Sequence, residues 1–386
     1  MVDGGSLENC CAVRHRGFES LILRAVTDNK KTYSIGGHLI RVVMASPWTF
    51  KTLTAEQETL VETLRSGGDL GIRPVPADRW EELPENESAM GKVQMTREKW
   101  DAMGEEERDA FRHDLDMLQY APFEIPEDGN EPLFELTVGG EEPAWLGEAL
   151  ATAPVVSVDE TLPCYYGYRY NGCTVYAFYP QREHLAGIFV LEDGYRRGTY
   201  YPQKGFGART TQMQLNTSLM IAFTFATAGL DTLLLHASVI RHEGAAQLFF
   251  GVSGTGKSTH SRLWLENVPG TDLMNDDNPV IRFTPAGATV YGSPWSGKTL
   301  CYRNVQAPVR ALVRLEQAPE NRIERLTALG AYASVIAAVS TIRWDSAVMD
   351  LLVPTVEKAA TLIPCFRLGC RPDREAVEVC KNAIES

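Results

Sequence analysis

The chain has 386 residues, of which 44% are hydrophobic and 23% are charged, as in ordinary globular proteins that form a packed core. Its formal net charge is −13, and because nonspecific nucleic-acid binding depends on Lys and Arg that neutralise phosphates, this balance argues against nucleic acid and an acidic membrane as partners. Eight cysteines without a zinc-module spacing, and no stretch long enough to span a bilayer, predict a soluble cytoplasmic protein with reduced thiols.

The N-terminal half predicts a β-rich domain, residues 32–204, that carries a helical insertion. It follows residues 1–31, which have no clear period and predict a poorly ordered extension. Strand-like residues on either side of Gly36-Gly37 predict the first two strands. Helical spacing of apolar residues then predicts helices over 54–66 and 96–119.

Short strands dominate the rest of this half. Between 132 and 203, runs of aromatic and β-branched residues alternate with turn residues, and Asn171-Gly172 is a strong hairpin signal. The pattern predicts a largely antiparallel β region. Its strands are predicted at 133–138, 155–158, 165–170, 174–179, 187–191 and 198–201.

The C-terminal half, residues 205–386, predicts one α/β domain with a mixed sheet. A helix over 214–228 is apolar all round, which predicts a buried helix that leads into the domain. Strands are predicted at 232–240, 247–250, 279–283, 289–291, 311–315 and 365–368. Helices are predicted at 257–266, 331–340, 346–362 with a break at Pro354, and 373–384.

Residues 251–258 fit the P-loop pattern G-x-x-x-x-G-K-[ST]. An apolar strand runs directly into them and a helix-compatible stretch follows, which is the setting that a P-loop needs. Glycines let successive N–H groups converge on phosphates, and the helix N-terminus adds partial positive charge. The pattern predicts ATP and Mg²⁺ as ligands. The predicted nucleotide-binding residues are Gly251, Ser253, Gly254, Thr255, Gly256, Lys257, Ser258 and Thr259.

Within the P-loop, two side chains have specific roles. Lys257 is expected to reach the β- and γ-phosphate oxygens as part of the catalytic apparatus, and the Ser258 hydroxyl is expected to ligate Mg²⁺. About twenty residues further on, apolar residues lead into Asp276 and Asp277, which we call the acid pair. Carboxylates at a strand end hold Mg²⁺ in many nucleotide sites, and one of two adjacent carboxylates can instead accept a proton. The alternative is an ordinary polar turn before Pro279.

Two further features leave alternatives open. His236 lies in an apolar run, so it is either a satisfied core histidine or, because its strand precedes the P-loop strand, a catalytic group near the phosphates. The segment from Tyr291 to Thr299 contains Gly, Pro, Trp and Lys298, and predicts either a structural turn with a packed tryptophan or a substrate loop. Transition-state charge could come from an arginine that follows it. The three candidates are Arg303, Arg310 and Arg314.

The order of strand, His236, strand, P-loop, helix and acid pair resembles the C-terminal domain of HPr kinase/phosphorylase. The sequence of residues 253–258 resembles the P-loop of ATP-dependent phosphoenolpyruvate carboxykinase. The resemblance to the HPr kinase family covers about residues 205–386. It implies Asp276 as general base, Ser258 and Asp277 on the metal side with Asp276 adjacent to them, and His236 beside the acid pair. The carboxykinase's separate lysine and arginine set and the HPr-gripping loop have no visible counterpart, so neither reaction's own substrate is carried over.

The sequence therefore predicts a kinase that transfers the γ-phosphoryl group of ATP to a serine-like hydroxyl on a peptide, protein or small molecule. One alternative is a phosphoenolpyruvate carboxykinase-type lyase. A second is a non-catalytic ATP-binding regulatory protein, against which Asp276 argues, because a binder has little need for a second carboxylate. The expected partners are ATP and an unidentified hydroxyl-bearing acceptor, and the pattern is compatible with a homo-oligomer.

Overall fold

The computed structural model describes residues 29–386 except 72, 75–103, 105–112, 128, 159–163, 181–183, 193, 207, 298, 300 and 342–344. The predicted extension lies outside the described residues apart from its last three, and so does most of the predicted helix over 96–119. In its described end, His113 is helical, Asp114 and Leu115 form a short strand, and residues 116–119 are not helical. Lys298 also lies outside the described residues.

The first half forms strands β1 to β11. In chain order these are β1 (Lys30–Ile35), β2 (His38–Met44), β3 (Thr49–Phe50), β4 (Asp114–Leu115), β5 (Glu124–Ile125), β6 (Phe134–Val138), β7 (Val156–Val158), β8 (Cys164–Tyr170), β9 (Cys173–Tyr179), β10 (Gly187–Leu191) and β11 (Arg197–Pro202). All except the β3–β4 pair join one sheet in the order β5-β1-β2-β6-β11-β10-β9-β8-β7. Within this sheet β6 pairs in parallel with β2 and β11 and the other pairings are antiparallel, so the prediction of a largely antiparallel region is confirmed.

The second half forms strands β12 to β20. These are β12 (Thr232–Leu234), β13 (Ala237–His242), β14 (Ala245–Phe250), β15 (Thr271–Asp277), β16 (Val280–Thr284), β17 (Gly287–Tyr291), β18 (Gln306–Gln317), β19 (Arg322–Arg325) and β20 (Cys365–Cys370). The sheet runs β12-β16-β17-β18-β14-β13-β15, and β20 pairs with β18 and β19. β14, β18 and β20 are parallel neighbours, so the mixed sheet is as predicted. The prediction of one strand over 232–240 is wrong, because pairing breaks at 235–236 between β12 and β13.

Seven α-helices occur among the described residues. They are α1 (Ala55–Arg65), α2 (Leu146–Leu150), α3 (Ala208–Thr227), α4 (Lys257–Asn267), α5 (Ala328–Ala338), α6 (Ser346–Leu362) and α7 (Arg374–Glu385). α6 continues through Pro354, contrary to the predicted break. Its buried face, which includes Val348, Leu352 and Val356, packs into the core, and this packing outweighs the hydrogen bond that proline cannot donate. None of these helices combines the length and apolar character needed to cross a membrane.

One hydrophobic cluster contains buried residues from both sheets. α3 contributes Leu219 and Phe223 to it, which confirms the predicted buried helix. At the turn between β1 and β2, a Cβ on Gly36 would lie 2.7 Å from Val280 Cγ1, so this turn packs directly on the second sheet. The core therefore continues from one half of the chain into the other. It includes buried residues of β14, the strand that leads into the P-loop.

Candidate active site

The P-loop lies between β14 and α4, as the sequence predicts. Gly251, Gly254 and Gly256 have positive φ values of 151°, 83° and 100°, a region that favours glycine because side chains are strained there. A Cβ on Gly251 would also lie 2.8 Å from the carbonyl oxygen of Leu315. The loop therefore needs glycine at these positions. It leads directly into the N-terminus of α4 at Lys257.

Internal hydrogen bonds brace this loop. The ammonium of Lys257 donates to the carbonyl of Gly251 at 3.2 Å, and Gln317, at the end of β18, donates to the carbonyl of Gly254 at 3.1 Å. Burial lowers the pKa of Lys257, while the charges of Asp277 and Asp276 act in the opposite direction. The lysine thus faces the acid pair across a partly desolvated space.

Asp276 is buried near the end of β15, with 8% of its surface exposed. Its Oδ2 accepts a hydrogen bond from Thr299 Oγ1 at 2.5 Å, whereas its Oδ1 has no hydrogen-bond partner among the described residues. Burial raises the pKa of Asp276, and the neighbouring hydroxyls of Ser238, Thr299 and Ser258 oppose that rise. A buried carboxylate oxygen without a partner is costly, so it marks a position where a ligand or metal would be accepted.

Asp277 is tied to His236. Nδ1 of His236 lies 3.0 Å from Oδ1 of Asp277, and Asn278 Nδ2 donates to Oδ2 at 2.8 Å. The histidine is not a core residue, because 44% of its side chain is exposed. His236 is exposed because it lies in the break between β12 and β13. Its backbone N–H donates to the carbonyl of Ala338 in α5 rather than to a neighbouring strand. Of the two alternatives for His236, the buried core histidine is therefore wrong.

The segment from Tyr291 to Thr299 forms a packed structural turn that also lies against the acid pair. Trp295 is buried, and its indole N–H donates to the hydroxyl of Tyr120 at 3.0 Å, as in a packed structural turn. Yet a Cβ on Gly297 would lie 3.3 Å from Cβ and Cγ of Asp277. The turn therefore closes directly over the acid pair.

The three arginines that follow this segment lie elsewhere. Arg303 is 2% exposed and pairs with Asp272 at 2.9 Å, so its charge is used inside the fold. Arg310 pairs with Glu243, and Arg314 pairs with Glu316.

A cleft of about 660 Å³ brings the site together. Most of the predicted site residues line it: His236, Ser253, Gly254, Thr255, Gly256, Lys257, Ser258, Thr259, Asp276 and Asp277. Gly251, the first residue of the P-loop, is not among the lining residues. The cleft is within the usual size range of small-molecule sites.

Sequence reasoning missed a second group of lining residues. These are Ser238, His260, Leu263, Gln317, Ala318, Cys370, Arg371 and Pro372, whereas Gly297 and Thr299, which also line the cleft, belong to the segment for which a substrate loop was one of two alternatives. Ser238 could have been found, because it lies two residues after His236 and strands alternate their faces. Gln317 and Arg371 follow from the pairing of β18 with β20, for which the sequence contains no local signal. Arg371 is itself held by Asp373 at 2.9 Å and by Glu375 at 2.7 Å.

The donor set fits a nucleotide with a hard cation. Glycine backbone and Lys257 suit phosphate oxygens. The hydroxyl of Ser258 and the carboxylates of Asp276 and Asp277 are the oxygen ligands that Mg²⁺ prefers. The unpartnered Oδ1 of Asp276 is a buried carboxylate oxygen that is open to a ligand in this cleft. In comparisons with known proteins, no family model matches the chain, and no curated protein matches it either.

Proposed function

We propose that this protein is an ATP- and Mg²⁺-dependent phosphotransferase, a kinase that moves the γ-phosphoryl group to a hydroxyl on a peptide, protein or small molecule. The supporting observation is that the P-loop, the acid pair and His236 line one cleft although they come from separate segments of the chain. A P-loop alone supports nucleotide binding. The buried carboxylate opposite it supports chemistry on the bound nucleotide.

Each residue has a role in this proposal. The glycine loop and Lys257 bind the phosphates and balance their charge. Bound Mg²⁺ would neutralise charge on the β- and γ-phosphate oxygens, with Ser258 and Asp277 as its ligands and Asp276 adjacent. Asp276 accepts the proton of the acceptor hydroxyl as that oxygen bonds to phosphorus, and ADP leaves. His236 holds the carboxylate of Asp277 through Nδ1.

Burial supports Asp276 as the proton acceptor. Desolvation raises its pKa from the ordinary carboxyl value, which makes the carboxylate a stronger base than an exposed aspartate. The resemblance to HPr kinase assigns the same role to this residue and would give the C-terminal half the fold of that family. It also leaves the acceptor open, because the acceptor-gripping loop of that family has no counterpart in the sequence.

The test is transfer of label from γ-labelled ATP in a cell extract, with two matched variants. Asp276→Asn keeps the shape of the side chain but loses the base, so turnover should fall by about 10²–10⁴ while ATP binding stays near wild type. Asp277→Asn should weaken Mg²⁺-dependent ATP binding as well as turnover. Wild-type turnover in both variants would refute the proposal, and oxaloacetate-dependent turnover would instead favour a carboxykinase.

A further inference from the structure

We infer that Thr299 is a positioning residue for the proposed phosphoryl transfer: its hydroxyl holds the carboxylate of Asp276 so that one oxygen, Oδ1, is left for the reacting groups. This inference rests on the proposed function. It assigns a role to the segment from Tyr291 to Thr299, for which the sequence left two alternatives.

The two oxygens of Asp276 differ in their surroundings. Oδ2 accepts from Thr299 Oγ1 at 2.5 Å, and Oδ1 has no partner among the described residues. Thr299 is 4% exposed, so water does not compete for its hydroxyl. A hydrogen bond to a charged group in such surroundings is strong and directional. It fixes the plane of the carboxylate, and therefore the direction of the free oxygen.

Thr299 is itself held in place. Its carbonyl accepts from the hydroxyl of Ser296 and from the backbone N–H of Cys301, the latter at 2.9 Å. Gly297 lies in the same turn, and a Cβ there would lie 3.3 Å from Cβ and Cγ of Asp277, so a side chain would push slightly on that aspartate. The buried Trp295 fixes the start of the same turn against Tyr120. The position of Thr299 next to Asp276 is therefore fixed by hydrogen bonds within the turn and by the buried Trp295 at its start.

General-base catalysis needs the accepting oxygen within hydrogen-bond reach of the proton, and small errors in direction reduce the rate. A carboxylate in a cavity lined by hydroxyls has several orientations available. Thr299 selects one of them. The hydroxyls of Ser238 and Ser258 also lie near this carboxylate and favour its charged form, but Thr299 makes the 2.5 Å hydrogen bond to Oδ2, and the hydroxyl of Ser238 is also hydrogen-bonded to Ser261 at 2.6 Å.

Two variants separate this role from simple packing. Thr299→Val keeps the shape and removes the hydroxyl, and Thr299→Ser keeps the hydroxyl. Because a hydrogen bond to a charged group accounts for about one to two powers of ten, we expect kcat to fall ~10- to 100-fold in Thr299→Val, with ATP affinity by calorimetry nearly unchanged. Thr299→Ser should restore most of kcat. Wild-type kcat in Thr299→Val, or an equal loss in both variants together with lost ATP affinity, would overturn the inference.

A matched control and a readout without turnover complete the experiment. Thr174 is a buried threonine of β9 whose hydroxyl has no partner among the described residues, so Thr174→Val should leave kcat unchanged. Crystal structures of the Thr299 variants should show the Asp276 carboxylate plane kept with serine and rotated with valine. An unrotated plane with valine overturns the inference. If instead the plane rotates but neither wild type nor Asp276→Asn shows transfer, the proposed function fails while the hold by Thr299 stands.

Discussion

Nδ1 of His236 lies 3.0 Å from Oδ1 of Asp277, although the histidine lies between β12 and β13 and the aspartate is the last residue of β15. The contact follows from the sheet register, which pairs Ala237 directly with Asp277. The Asp277 oxygens thus have two partners, His236 and Asn278, which in the proposed site would orient them toward Mg²⁺ as outer partners orient metal ligands.

Removal of this partner should weaken metal-dependent binding. Loss of an outer partner typically costs 10- to 100-fold in metal affinity or activity, so we expect about that loss in His236→Ala, measured as ATP affinity over a Mg²⁺ titration. His236→Asn places a donor where Nδ1 lies and should retain most of the affinity. Equal affinity in the wild type and His236→Ala would show that the contact is incidental.

Lys257→Ala should reduce ATP affinity by one or more powers of ten. In the proposed site the lysine is the side-chain cation that would balance the charge of the phosphates, and its partial burial would strengthen that interaction. The matched control is Lys358→Ala, which removes an exposed lysine paired with Asp231. Calorimetry on folded proteins checks this prediction, and wild-type affinity in Lys257→Ala would contradict it.

Arg303→Leu should destabilise the fold without changing turnover per folded site. Arg303 is buried, pairs with Asp272 and donates to the carbonyl of Gly67 at 2.6 Å, so its loss leaves buried groups unpaired. Breaking such a pair costs about 3–5 kcal/mol. Urea unfolding checks the value, and Arg310→Leu, which removes a more exposed arginine, should cost much less. A stable Arg303→Leu protein that has lost turnover would show that Arg303 takes part in catalysis.

Stability should fall as the pH drops from about 6.5 toward 4, partly because of His38. Burial lowers the pKa of His38 to about 4, and the charge of Arg282 acts in the same direction. Below its ordinary pKa of about 6.5, the unfolded chain takes up a proton that the folded protein refuses, at up to about 1.4 kcal/mol per pH unit. His38→Gln should flatten this slope, whereas exposed His184→Gln should not. Identical slopes in urea titrations would refute the assignment.

Features set by short segments could be predicted from the sequence. The Asn171-Gly172 hairpin is confirmed by φ values of 49° and 75°, because a two-residue turn of this kind needs positive φ at both positions. The strand–loop–helix setting of the P-loop depends likewise on a few neighbouring residues. The acid pair could be placed near it because an apolar run leads into Asp276 and Asp277 about twenty residues after Lys257, and carboxylates at a strand end commonly accompany a P-loop.

Features set by distant pairing could not be predicted. The order of the strands brings Gln317 and Arg371 to the cleft from the ends of β18 and β20. The exposure of His236 depends on α5, which draws its backbone out of the strand. Pro354 stays within a helix because of packing that its neighbours in sequence do not reveal. In each case tertiary contacts override a local preference.

The continuous core between the two sheets has a practical consequence for handling the protein. A fragment that begins near residue 205 would retain the whole P-loop but would present to water the apolar surface now covered by Gly36, Tyr120 and the residues around them. Such a fragment would be prone to aggregate. It would also lack the phenol that anchors Trp295, and with it the support of the turn over the acid pair. Proteins designed for expression should therefore contain both halves in one polypeptide, and fusion points should lie outside the shared core.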